Sequence, residues 1–306
     1  MTPATTAPAT PAPVELDDVA SSGRRFRPWR WVTGAVLAVV AAQLLVFLVS
    51  NRRFEWDVVA QYLFDPSVLA GVGTTVLLAV LAIVIGSVAG GLVAAAQLSD
   101  FAPLRWAATL YLGVFRGIPP LVQLIFWFNL AYLLPRISIG IPFGPSLTSW
   151  DANDVITPFT AAVVGLSLVE SAYMAEIIRA GVLGVDLGQR EAARAMGFTP
   201  VQTFFRIVLP QAMRTIIPPS GSQFISVLKG TALVSVIAMS DLLHAVQVIY
   251  NRTYQIVPLL LVACVWYLVL VTLLTAGQRR LERRFARGHE RHVAPAQATT
   301  DEEAAR

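Results

Sequence analysis

The stretch GQREAARAMGFTPVQTFFRIVLPQAMR, residues 188–214, decides the fold, because it is polar and punctuated while very apolar sequence flanks it on both sides. Asp186, three residues ahead of Gln189, is placed to cap a short helix through QREAARAM, with its carboxylate accepting from first-turn amides that the helix leaves unpaired. Gly197 ends that helix, since glycine enters the left-handed conformation at little cost. Thr199 then caps a second helix, Pro200 fills a first position that needs no amide partner, and Gln202 completes a capping box. Pro210 marks the end of this helix or a kink in it. The segment therefore reads as two short helices about a glycine hinge. Ala192, Ala195 and Met196 share one face of the first, with Arg190, Glu191 and Arg194 elsewhere. Such a surface is too small-sided to anchor in lipid and suits close docking in a groove. An ordinary capped surface pair has the same shape.

The rest of the chain is membrane sequence. Its 306 residues are 56% hydrophobic and 14% charged, with a mean hydropathy of +0.64, too apolar for a soluble domain of this length. Residues 31–49 carry no charge, and at about 1.5 Å per residue they reach the roughly 30 Å of a hydrocarbon core. Further runs at 68–97, 106–134, 156–180, 213–240 and 256–277 bring the expectation to about six transmembrane helices in an all-α, polytopic helical bundle. Arginines before the first run, Arg105, Arg190, Arg194 and Arg206, and the cluster from Arg279 to Arg291 all fall on one side of a six-span chain, so both termini and the 186–210 loop are expected in the cytoplasm. Arg52, Arg53, Arg136 and Arg252 dissent. Residues 1–30 are expected to be a disordered tail with a basic flank, 31–49 a retained helix and not a cleaved signal, and 278–306 a basic cytoplasmic tail.

Several chemistries are excluded by inventory. The net charge of +4 is used on membrane flanks, which leaves no basic patch with interleaved aromatics for nucleic acid. Cys264 is the sole cysteine, His289 and His292 stand together without further ligands, and His244 is alone, so no metal site is expected. No glycine-rich phosphate loop precedes Lys229, the one lysine, so the chain is not expected to hydrolyse ATP or to bind a cofactor itself.

Glu191-Ala192-Ala193, then Gly197, then Ile207-Val208-Leu209-Pro210 resemble without departure the EAA motif of bacterial ABC importer permeases. GVGTTVLLAVLAIVIG (71–86), FRGIPPLVQL (115–124), SAYMAEIIRAGV (171–182) and LKGTALVSVIAMSDLL (228–243) are similar to successive blocks of the polar amino-acid permeases of the histidine and glutamine type. The likeness covers 68–277, and the helix at 31–49 is additional to that family's five-span core. The resemblance implies a coupling helix built on Glu191, Ala192, Ala193, Gly197, Ile207, Leu209 and Pro210. It also implies two copies of a separate ATPase subunit carrying ATP and Mg, a second permease subunit in a homodimer or heterodimer, and an extracytoplasmic amino-acid-binding protein. The chain would then be a transport subunit of the bacterial cell membrane and not an enzyme. A gradient-driven secondary transporter of amino acids is the alternative, and it leaves the EAA loop without a purpose.

Charges inside spans are the candidates for a substrate pathway, because each costs about 2.5–3.5 kcal/mol at a helix centre and must be compensated. Glu176 and Arg179, three apart, neutralise one another. Glu170 has no such neighbour, so it either pairs with Arg116 or Lys229 or faces a wet cavity and meets a cationic group. Arg116-Gly117-Ile118-Pro119-Pro120 and Pro218-Pro219-Ser220-Gly221-Ser222 are expected to interrupt the third and fifth spans. Gln123, Ser222 and Gln223 follow these breaks and are candidate hydrogen-bonding groups, unless the breaks are packing kinks. Gly86, Gly90 and Gly91 offer a small surface for close helix contact. The 135–155 connection caps the cavity, meets a substrate-delivering protein, or is a solvated loop.

Overall fold

Proline one residue inside a capped start recurs through the chain and sets where helices begin. A computed structural model describes residues 28–140 and 146–286. The chain divides into two units, one ending at Phe54 and one beginning at Glu55. In the first, α1 (Pro28–Ser50) is followed by a 3-10 turn at Arg52–Phe54, where the Phe54 ring meets Phe47 edge-on at 5.6 Å. The helix takes in Pro28, Trp29 and Arg30, which the sequence placed in the tail. Residues 1–27 and 287–306, with His289 and His292, lie outside the described residues.

The second unit opens with α2 (Trp56–Tyr62) and α3 (Pro66–Gln97). Asp65 caps α3 by accepting from the Ser67 amide at 2.8 Å, with Pro66 in the first turn. The Ser67 hydroxyl and amide hold the Asp65 carboxyl below the usual carboxylate range. Next come α4 (Ala102–Gly117) and α5 (Pro120–Phe128), which meet at a 100° bend. The expected third span is thus a broken pair, since Pro119 and Pro120 lack the amide protons that would continue the ladder. Among the described residues five helices are long and apolar enough to cross a membrane, or six if this pair counts as one span.

After α6 (Leu130–Leu133) comes a feature the all-helical expectation lacked: β1 (Arg136–Gly140) and β2 (Ser146–Asp151) form an antiparallel hairpin, with Arg136 opposite Asp151 and Ile137 opposite Trp150. The first strand, RISIG, alternates polar and apolar residues as suits a strand. Following α7 (Ala152–Val155), α8 (Pro158–Leu183) starts at a reciprocal capping box between Thr157 and Thr160. The polar loop holds α9 (Leu187–Ala195) and α10 (Pro200–Thr203). A π turn at Phe204–Val208, α11 (Leu209–Gly230) and a 3-10 segment at Thr231–Ile237 then follow, so the helical stretch is unbroken from Pro200 to Ile237. Pro218 and Pro219 therefore do not interrupt the span as expected. The Ser220 hydroxyl donates to Ile216 O at 2.8 Å, and Gln278 donates to Pro218 O and to Ser222 Oγ. Side chains thus knit the proline turn, and the helix carries through it.

The chain closes with α12 (Leu242–Thr253) and α13 (Ile256–Ala286). Helix α12 occupies what the sequence left as a connection, and Asp241 caps it by accepting from the His244 and Leu243 amides. The Leu242 amide donates to Thr75 Oγ1 at 3.1 Å, which ties α12 to α3. Helix α13 runs on into the expected tail as far as Ala286, with Gln278 donating to Glu282 at 2.8 Å one turn along. Packing is densest between α3 and α8. Ala79, Ala82, Gly86, Gly90 and Ala94 are buried while Leu77, Val84, Val88 and Leu92 of the same helix are exposed. In lipid such a division is favourable, because small residues let backbones approach and the branched ones face the acyl chains.

Candidate functional site

Local hydrogen bonds build the polar loop. Asp186 Oδ1 accepts from the Gly188 amide at 2.6 Å, while Gln189 contributes only its main-chain N–H to Asp186 O at 3.2 Å. The expected capping pair is therefore half made, because the Asp186 carboxylate serves the second helical residue and not the third. Gly197 stands at φ +78°, with its amide bonded to Arg194 O at 2.9 Å and the Phe198 amide to Ala193 O at 3.0 Å. These two bonds form a Schellman closure, for which glycine is suited. Thr199 and Gln202 complete the second box, at 2.9 and 3.2 Å.

Pro210 neither ends the second helix nor kinks it to a stop. The Leu209 amide bonds to Phe204 O, five residues back, and the helix continues as α11. A wider turn accommodates the proline ring and its missing donor without breaking the rod. Val208, within the motif but not among the positions assigned to the coupling helix, is the anchor: it is buried with Val182, Val185, Ala212 and Ile216. The spacing of Val208, Ala212 and Ile216, four apart, was a legible signal for this.

Of the motif residues, Ala193 is buried at 1% exposure, Ile207 and Leu209 are half-buried, and Glu191, Ala192, Gly197 and Pro210 are exposed. Arg190 donates to Val182 O at the end of α8, which fixes the first loop helix to the membrane helix before it. Leu187 and Met196 are exposed at 71% and 64% beside the exposed Ala192 and Ala195. The loop is thus a rigid knob that is held from behind and bare in front.

The second candidate region lies among α5, α8 and α11. A cavity of about 340 Å³ is lined by Glu170, Gln223, Tyr173 and Ser226 among apolar walls that include Leu124 and Leu233. Glu170 is 1% exposed. Gln223 Nε2 donates to Glu170 Oε2 at 3.0 Å, and Oε1 has no hydrogen-bond partner among the described residues. The pairing of Glu170 with Arg116 or Lys229, one of the two sequence alternatives, is not made. Arg116 Nη1 lies 3.8 Å from Glu176 and its guanidinium sits 5.7 Å over the Tyr173 ring, while Arg179 Nη2 is 3.2 Å from the same Glu176 oxygen. Lys229 is exposed and in no ion pair among the described residues.

The remaining candidates separate. Gln123, 5% exposed, donates to Phe115 O at 3.0 Å and Ile118 O at 2.8 Å, which satisfies carbonyls freed at the α4–α5 break. It braces the break and does not line the Glu170 cavity. Ser222 faces α13 through Gln278. The structure therefore brings Glu170 and Gln223 together and disperses Arg116, Gln123, Ser222 and Lys229. Gly86 and Gly90 permit the assembly: a Cβ on Gly86 would lie 2.7 Å from Glu170 Cγ, and one on Gly90 2.7 Å from Ser171 O. A Cβ on Gly91 would come no closer than 4.0 Å to a neighbouring side chain, Ile178, so Gly91 is not a tight point of that seam.

Comparison with known proteins agrees with this geometry. The family described as the binding-protein-dependent transport system inner membrane component matches residues 82–287. An arginine transport system permease protein, ArgU, of Corynebacterium glutamicum is 37% identical over 286 residues, 92% of this chain and 86% of that protein. The L-cystine transport system permease protein TcyB of Bacillus subtilis is 36% identical over 78% of this chain and 95% of its own length. Among solved structures, an amino acid ABC transporter crystallised with histidines matches with a TM-score of 0.63 at 33% identity, over 74% of this chain and 97% of that one. The methionine transporter MetNI, at 20% identity and a TM-score of 0.53, shares the fold. With its knob, its bundle and these likenesses, the chain belongs to the family of inner membrane components of binding-protein-dependent transport systems.

Proposed function

We propose that this chain is the permease subunit of an ATP-driven importer that moves a polar amino acid into the cell by alternating access. The observation that carries the reading is the continuity of one helical rod. It starts at the capped knob, at Pro200, and runs to Ile237, and it presents Gln223 to Glu170 in the cavity on the way. A push on the knob is thereby a displacement of a cavity-lining side chain, which is what coupling requires. In this scheme two ATPase subunits, which bind the ATP and Mg, grip the exposed Leu187, Ala195 and Met196 surface. A second permease subunit completes the pathway, and an extracytoplasmic binding protein delivers the substrate. Both termini and the knob lie in the cytoplasm, where the arginines flank the spans. The relatives named for arginine and cystine, and the solved amino acid transporter, support the amino-acid class.

The test is reconstitution in liposomes with the ATPase and the binding protein, with uptake of labelled amino acids measured with and without ATP. ATP-dependent uptake is expected. Uptake by the chain alone on an ion gradient would replace this reading with that of a secondary transporter.

A further inference from the structure

Nothing in the fold of a permease dictates which end of an amino acid its cavity holds, yet the lining of this one is one-sided. It contains a carboxylate, Glu170, and a carboxamide, Gln223, and no arginine, lysine or histidine. The arginine closest in role, Arg116, is engaged elsewhere, by Glu176 at 3.8 Å and by the face of Tyr173 at 5.7 Å. A carboxylate that is 1% exposed with one oxygen unpartnered is costly to keep charged, and the cost is relieved either by a proton or by a cation that completes it. Apart from Tyr173 and Ser226, the other side chains of the wall are mainly aliphatic: Leu124, Leu166, Val169, Val227 and Leu233.

These properties distinguish the two ends of an amino acid. The zwitterionic head carries a carboxylate as well as an ammonium, and this lining offers that carboxylate no cationic partner. A lone cation on an apolar stem fits: the methylenes lie along the aliphatic walls and the charged tip meets the acid, as long basic side chains do on apolar surfaces. Glu170 and Tyr173, three apart on α8, are neighbours on the helix surface and both line this cavity. Tyr173 is also a wall of a second cavity, of about 540 Å³, that contains Arg116, Glu176 and Gln97. The head of a substrate whose cation sits at Glu170 thus lies towards Tyr173, outside a lining that has no basic side chain.

We infer, on the basis of the transport reading above, that the Glu170 cavity recognises the cationic side chain of a basic amino acid, with Glu170 as the charge acceptor and Gln223 holding its other oxygen. Two measurements test this on the purified complex of the chain with its ATPase subunits, without the delivering protein, so that binding reports on the membrane subunit. In the unaltered complex, arginine is expected to bind at least about tenfold more tightly than citrulline, its neutral near-isostere. Glu170→Gln, which keeps the size and the contact with Gly86, is expected to abolish that ratio while the melting temperature stays within a few degrees. Equal affinity for arginine and citrulline, preference for glutamine or glutamate, or an unchanged ratio in the variant would overturn the inference. If the variant does not fold, the arginine–citrulline comparison decides alone. Loss of the charge preference with ATP-dependent amino-acid uptake intact would leave the importer reading standing. Absence of ATP-dependent uptake of every amino acid would instead remove that reading.

Discussion

The loop at 186–210 and the cavity at Glu170 are linked by one helical rod, which starts at Pro200 and carries Gln223, and they are built by opposite means. Almost every bond that shapes the loop spans five residues or fewer: Asp186 to Gly188, Gly197 to Arg194, Thr199 to Gln202. The bond that shapes the cavity, Gln223 to Glu170, spans 53 residues, and α3 lies close enough to α8 to bury Glu170. A functional surface meant for another protein can be local and exposed. A site inside the membrane has to be assembled from distant helices, since polar groups there need partners that no single helix supplies.

Substitutions at the seam should break the cavity side of this contrast most severely. Gly90→Val places carbon against Ser171 O at 2.7 Å and Met174 Cβ at 2.8 Å. Overpacking of this kind costs about 1–3 kcal/mol or more. The expected result is a clear fall in melting temperature and in recovered complex, and a variant that melts like the parent would show that the α3–α8 seam is looser than described. Gln123→Leu comes next. It leaves Phe115 O and Ile118 O without their donor, at a cost of about 1–3 kcal/mol. Stability should drop with little change in substrate preference, whereas a selective change in preference with full stability would return Gln123 to the substrate pathway.

On the loop side the expected damage is to coupling. Nothing lies within 4 Å of a Cβ on Gly197, so Gly197→Val strains only the backbone, at φ +78° and by about 1–2 kcal/mol. Membrane insertion should be normal and ATP-driven uptake lost, with Gly197→Asn intermediate because asparagine tolerates that conformation. Normal uptake by the valine variant would remove the hinge argument. The smallest effect is a pH dependence at an exposed cap. Asp65 is held below the usual carboxylate range by Ser67, so its contribution is complete above that range and fades as pH falls through the lowered value. Thermal melts of Asp65→Ala against the parent should converge as the solution is acidified, and a constant gap would assign the cap no charge component.

How far the sequence carried differs residue by residue. Capping residues announce themselves, because an Asp or Thr ahead of a proline acts on amides within one turn; Asp65, Thr157 and Thr199 all do so. The break at Arg116–Pro120 was equally legible, while that at Pro218–Pro219 was misread, because Gln278, 60 residues away, supports the turn. The hairpin at 136–151 escaped notice because its strands are five and six residues long and short alternation is a weak signal.

By itself, then, the sequence determined the membrane class, the apolar runs, the hinged knob and its caps, since each depends on composition or on bonds within a turn or two. Tertiary structure decided which charges meet. Glu170 and Arg116 both stood in apolar runs with open partners, and only the packing of α8 against α3, α4 and α11 gave Arg116 to Glu176 and left Glu170 with Gln223 beside a cavity whose lining has no basic side chain. The reason is that a charge in a membrane is compensated through space, by whichever helix the small residues of a seam allow to come near.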